Sequence, residues 1–253
     1  MDRLQPAWRS GLYLQSDCDR AQPAEVSKRS GCRALGLDGF SKGWVAVLLD
    51  GDVQEISFHR DITDALSRSC DRAGIDIPIG MSDHGERDCD LLARAKLRPH
   101  ASRVFAGARR WLWSEFSDPN DANREAQRRG QKRVSRQLWH LGAKIMEVDA
   151  FVRANPSRDI REVHPELVFL RLNDNEPLPS KKSAGGVALR RALLKQSGFR
   201  QIDRWLTHER SGAKPDDVLD ACAVAIAARE PAGSVPEGAP PVDAHGLPMR
   251  IWF

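Results

Sequence analysis

A chain of 253 residues with 41% hydrophobic and 29% charged residues has the size and composition of a globular protein that buries one large α/β core or two small ones. Its formal net charge of +4 is too mild to demand a nucleic-acid partner by itself, and no apolar run reaches the length of a membrane span or of a signal-peptide core, so the expectation is no membrane partner and a cytoplasmic location. The five cysteines (Cys18, Cys32, Cys70, Cys89, Cys222) are scattered, odd in number and without a C-x-x-C pair, which argues against a zinc knuckle or a disulfide framework.

Residues 1–32 mix Arg, Asp, Gln, Pro and Ser without periodicity and read as a disordered tail ahead of a domain over 33–253. From Ala34 the pattern turns to β: Ala34 to Asp38, Trp44 to Leu49, and Val53 to Phe58, with Asp50-Gly51-Asp52 as the tight turn of a meander. Asp38 stands out, because a lone carboxylate in a buried strand is costly unless a cation or donors meet it. Thr63 is the expected cap of a short helix through Cys70. The run Gly74 to Gly80 then predicts a strand that carries Asp76 near its C-terminal end and stops about Pro78, which lacks an N–H.

Residues 86–155 read as a helical insertion. Glu86 to Leu97 predicts one helix, Ser117 two residues before Pro119 marks a second start, and Leu138, Leu141, Ile145, Val148 and Val152 mark one face of a longer helix. Between the latter two, Arg124, Arg128, Arg129, Lys132, Arg133 and Arg136 form the densest basic cluster, read first as a solvated face and second as a phosphate contact. Arg161 to Glu166 predicts a short strand turning into a helix at Pro165, with Glu162 and His164 on one face of that strand. A helix from about Ser183 to Gln196, stopped by Gly198, and an almost wholly apolar helix from Pro215 follow; residues 230–248 are Pro- and Gly-rich and linker-like, and Met249 to Phe253 suits an edge strand.

Asp217 and Asp220 are three apart at a helix start and so share a face. With Asp38 and Asp76 they make four carboxylates that become neighbours if both strands are central and the helix crosses their ends. Converging carboxylates repel unless a divalent cation sits among them, and an oxygen-only set suits Mg²⁺ or Mn²⁺. Two such ions about 3.5–4 Å apart serve phosphodiester cleavage. Each acid also has an ordinary reading: Asp216 and Asp217 complement a helix dipole, Asp38 forms a turn, and Asp76 accepts loop donors. His164, beside Glu162 and Glu166, suits an orienting or general-base role. Lys181 and Lys182 are surface lysines or phosphate point charges.

The ordered segments GLDGFSKGWVAVLL, GIDIPIG followed by ERDCD, REVHPEL, SKKSAGG and PDDVLDACAVAIAA resemble domain of unknown function 429, a family described as predicted RNase H-like nucleases. The resemblance covers about Ala34 to Phe253 and departs from the family's pattern at Met81-Ser82-Asp83 and Ala106 to Arg110. It implies an RNase H-like mixed five-stranded sheet in the order 3-2-1-4-5, flanked by helices, with Asp38 on strand one, Asp76 on strand four, Glu162 and His164 on strand five, and Asp217 with Asp220 on the last helix. The D-x-x-D-A helix start is similar to that of Holliday-junction resolvases.

The expectation is then a Mg²⁺- or Mn²⁺-dependent nuclease acting on nucleic acid. Its ligands are Asp38, Asp76, Asp217 and Asp220, its base or orienting groups Glu162 and His164, and its candidate substrate contacts Lys42, Arg87, Lys181, Lys182, Arg129 and Arg133. A nucleotide-handling, phosphotransferase-like enzyme and a non-catalytic binding module are the alternatives, and a homodimer is an open assembly state.

Overall fold

The computed structural model describes residues 31–207 and 211–253, so the tail expected over 1–32 lies, up to Ser30, outside the described residues. The chain forms the expected antiparallel meander: β1 (Ala34–Phe40), β2 (Gly43–Asp50) and β3 (Val53–His59). Strands β1 and β2 are buried almost throughout, as strands covered on both faces are, whereas β3 is a part-exposed edge. After α1 (Ile62–Ala65), β4 (Arg72–Ile75) adds parallel to β1, and β5 (Ile160–Glu162) adds parallel to β4. The order is 3-2-1-4-5, the mixed α/β sheet that the RNase H-like resemblance implies.

Between β4 and β5 lies the expected insertion: α2 (Asp88–Lys96), α3 (Arg110–Ser114), α4 (Pro119–Arg128) and α5 (Arg136–Ala154). After β5 come α6 (Pro165–Leu172), α7 (Ala184–Gln196), α8 (Ile202–Thr207) and α9 (Pro215–Arg229), then a small hairpin of β6 (Ser234–Val235) and β7 (Ile251–Trp252). Alternation along the strands sends Leu35, Leu37, Ala73 and Ile75 to a core shared with α1, α3, α4 and α5. The opposite row, with Phe40, Val45, Val47 and Leu49, packs on α6 to α9. A third cluster joins α2, Val104 and Leu167 to the β6–β7 hairpin.

Helix α9 lies directly on β1. A Cβ added at Gly36 would stand 2.2 Å from the Ala225 nitrogen and 2.5 Å from the Ala221 oxygen, and one at Gly74 would stand 2.9 Å from Val224 Cγ1. Glycine at these two central positions is therefore what admits the helix backbone to the sheet.

Four expectations need correction. The helix after β3 spans Ile62–Ala65, not Thr63 to Cys70, because Asp61 is its cap and accepts the Asp64 N–H at 2.8 Å. Strand β4 stops at Ile75, so Asp76 is the first residue beyond it rather than inside it, although its N–H still reaches the Leu37 oxygen at 3.0 Å. Strand β5 ends at Glu162, so His164 lies beyond it at the start of α6 rather than on the strand, whereas α4 does start at Pro119, where the Asp118 carboxylate accepts two backbone N–H groups. The segment 230–248 is tied down rather than linker-like: it contributes β6, and its buried Asp243 pairs with Arg110 and accepts the backbone N–H groups of Met81, His245 and Leu247.

Candidate active site

Paired strands put facing residues on the same side of a sheet. Gly36 faces Gly74 and Leu37 faces Ile75, so one further step sets Asp76 beside Asp38, on the row that meets α9. The tight seat of α9 on Gly36 carries Asp220, next to Ala221, to the same point. A cavity of about 390 Å³ opens there, lined by Asp38, Asp76, Asp217, Asp220, His164 and Lys181.

The electrostatics of this cavity are unbalanced. Burial, then the charges of Asp76 and Asp220, push the Asp38 carboxyl well above the usual carboxylate range. Burial and Asp220 raise Asp76 to about 8. Asp220 is raised by burial even though it accepts a hydrogen bond from Lys181 Nζ, and its other oxygen, Oδ1, is buried with no partner. Burial alone would lower the Lys181 ammonium, but Asp220 and Asp38 outweigh it and hold the lysine charged. Asp217 stands at the rim: its Oδ2 accepts the Lys214 N–H at 2.7 Å and caps α9, and burial raises its carboxyl modestly.

Lys181 owes its place to two arginines that the sequence did not single out. Arg190, fully buried on α7, binds both oxygens of Glu166 at 2.8 Å and donates to the Pro179 carbonyl at 3.0 Å. Arg103 binds Glu166 at 2.6 Å and the Leu178 carbonyl at 2.9 Å. Despite burial, the Arg190 and Arg103 charges keep Glu166 below the usual range. The loop two residues before Lys181 is thereby fixed to the floor of the cavity. The available signal was Arg190 itself, a charge on the same helix row as Gly186, Leu193 and Leu194.

Glu162 and Arg87 are joined to each other. Glu162 faces Ile75 and so lies on the row opposite Asp38. Both its oxygens accept from Arg87, at 2.7 and 2.8 Å, and Oε2 also accepts the Ile79 N–H at 2.8 Å. Arg87, 2% exposed, further binds Asp90 and the carbonyls of Ile79 and Gly80. Arg87, Asp90 and Glu162 all line the cavity, but the donors of Arg87 are taken up by these acceptors, so it braces the strand end at the cavity wall and has no free donor for a phosphate. His164 stands at the N-cap position of α6 without a side-chain capping bond and lines the cavity; burial lowers its pKa against the pull of Glu166, and Nδ1 has no partner.

The remaining candidates separate into two groups. Lys182 is exposed at the cavity mouth, and Lys42, in the β1–β2 turn, lines a neighbouring cavity. Arg129 lines neither: it is paired with Glu125 and Glu115 and lies over the Trp111 ring. Arg124, Arg128 and Lys132 are likewise paired, with Asp121, Glu125 and Glu86, which agrees with a solvated face, while Arg133 is exposed in the loop before α5.

Among the described residues, no three His, Cys, Asp or Glu side chains stand grouped so as to hold a metal ion, and the ammonium of Lys181 neutralises Asp220. The donor set nonetheless fits a hard cation: it is all oxygen, Asp220 Oδ1 is orphaned, and burial raises all three carboxyls, with the charges of Asp76 and Asp220 adding to Asp38 and that of Asp220 adding to Asp76. Among the described residues, no helix is long and apolar enough to cross a membrane. The chain matches a family model described as "Protein of unknown function (DUF429)" over residues 36–242. No curated protein and no solved structure matches it.

Proposed function

The chain belongs to the DUF429 family, and on that premise we propose that it is a divalent-metal-dependent nuclease hydrolysing phosphodiester bonds of nucleic acid at the acidic cavity. The observation that carries this reading is the convergence of Asp38, Asp76 and Asp220, from one central strand, the end of its parallel neighbour and one helix, on a single cavity in which burial raises all three carboxyls although Lys181 stands among them. Structural acids are satisfied by donors, as Glu162 and Glu166 are here. Acids raised by burial, and in Asp38 and Asp76 also by neighbouring carboxylates, are a stored cost that a functional site explains.

Asp38, Asp76 and Asp220 would hold Mg²⁺ or Mn²⁺, with Asp217 at the rim. Such a cation supplies Lewis acidity that polarises a phosphoryl oxygen and offsets developing charge. Lys181, gripped through its loop by Arg190 and Arg103, is a fixed cation beside the reacting phosphate. His164, kept neutral by burial, takes up a proton at Nδ1. Glu162 and Arg87 hold the wall behind them.

The test is cleavage of labelled single-stranded and duplex DNA and RNA, an RNA–DNA hybrid and a four-way junction, in Mg²⁺ and in Mn²⁺, with Asp38→Asn alongside. The expected outcome is metal-dependent cleavage by the native protein and at least about a hundredfold less by folded Asp38→Asn, the scale of losing one group that stabilises transition-state charge. Equal rates for the two, or cleavage by neither, would sink the reading.

A further inference from the structure

A second cavity, of about 590 Å³, abuts the acidic one and shares Gly39, Leu141 and Asp217 with it. Its chemistry is the reverse. Lys42 from the β1–β2 turn, Arg60 after β3, His140 and Lys144 from α5, and Lys214 ahead of α9 all line it. Its two acids are already engaged: Glu147 accepts the Ile62 N–H at 2.5 Å, and Asp217 accepts the Lys214 N–H at 2.7 Å. Lys144 is anchored at 2.8 Å to the Gly43 carbonyl and over the Trp44 ring, and part-buried. Lys42, Arg60 and Lys214 are exposed and make no ion pair among the described residues. Cations drawn from four separate segments to one concave surface, with their local acids occupied, form an anion site rather than a solvated charge run.

We propose that this basic cavity binds the successive phosphates of the strand whose neighbouring phosphate reaches the acidic cavity. The proposal deepens the nuclease reading and rests on it for the identity of the strand. The shared walls at Gly39 and Asp217 make one continuous path from repulsive to attractive potential, so a polyanion enters with its flanking phosphates on Lys42, Arg60 and Lys214 and only the phosphate to be cleaved among the acids. Phosphate contacts of this kind position a backbone without reading its sequence. A nucleoside triphosphate presents the same chemistry, and the experiment separates the two.

The measurement is fluorescence anisotropy of short labelled single-stranded and duplex DNA and RNA across a salt series, in EDTA, so that no cleavage is needed. It compares the native chain with Lys42→Gln/Arg60→Gln/Lys214→Gln, with Arg191→Gln/Lys195→Gln as a control pair that lines neither cavity, and with tripolyphosphate and ATP as competitors. The expected result for the triple variant, with native melting, is an affinity loss of about tenfold or more. The slope of log K against log salt should shrink by about 2 for single strands and by nearly 3 for duplex DNA, as three lost phosphate contacts require. The control should stay native. Native affinity and slope in the triple variant, no binding of any strand by the native chain, or competition by ATP or tripolyphosphate at strand-like affinity would each overturn the proposal. Because binding is read without metal, a chain that binds through these residues but never cleaves leaves the cavity standing and removes only the nuclease.

Discussion

Among the described residues no donor is hydrogen-bonded to the Asp76 carboxyl, which carries the clearest cost in the cavity. Its ordinary value is 3.8, and burial with the Asp220 charge moves it to about 8 in the fold. The folded state therefore binds more protons than the unfolded state between those values, and this group's contribution to stability falls as pH rises through that window. In EDTA, stability measured by urea titration should decline from pH 5 to pH 8. Asp76→Asn should flatten that decline and raise the melting temperature at pH 8; Mg²⁺ should stabilise the native chain there and the variant less. An unchanged pH profile in Asp76→Asn would remove the repulsion argument. Glu162 illustrates the opposite condition: it is buried too, but Arg87 and the Ile79 N–H meet its oxygens.

At the scale of elements, the seat of α9 decides where Asp220 goes. Apart from Asp220 the helix interior is apolar on every side, as its burial from Val218 to Ala228 requires, and such a helix can rest on a sheet only where side chains leave room. Gly36 and Gly74 supply that room. Gly36→Val drives two methyl groups into the α9 backbone, which cannot yield as a flexible side chain would. The expected cost is at least about 3 kcal/mol, the upper range of overpacking, which for a chain of this size lowers Tm by about 6–12 °C. Calorimetry checks it, and a change below about 1 kcal/mol would show that the helix can shift. The loop carrying Lys181 follows the same logic with charge instead of volume, since Arg190 and Arg103 fix its backbone carbonyls through one shared glutamate.

Across the whole molecule, the C-terminal segment closes the structure. Asp243 links the turn after β4, through the Met81 N–H, to α3 and α5 by way of Arg110, which also binds Asp149. The hairpin of β6 and β7 covers α2, and Trp252 bridges to Val163 beside β5. Removing the Asp243 carboxylate leaves three backbone donors and part of the Arg110 charge without an acceptor. Asp243→Ala should cost about 3 kcal/mol or more, seen as a lower urea midpoint with an unchanged m-value. A midpoint within experimental scatter of the native one would mean that the segment is not a clamp.

The sequence by itself determined the meander and the insertion and marked Asp38, Asp76 and Asp220 as candidates, because alternation, helical periodicity and an apolar helix opening on acids are local patterns; the strand order was implied by the family resemblance. Helix α5 followed from its apolar face, and β5 turned into α6 at Pro165 as the proline dictates. The short α3 and α8 escaped because one turn or two of helix leaves no period to read. Only the tertiary structure decided which charges are free. Arg87 reads in sequence like Lys181 or Lys42, yet it is buried against Glu162 and Asp90, while Lys42, Arg60 and Lys214 meet around one cavity from segments far apart in the chain. A charge's role depends on which partner stands within a few ångströms, and that distance is set by the packing of β1, α9 and α5, not by the neighbours in sequence.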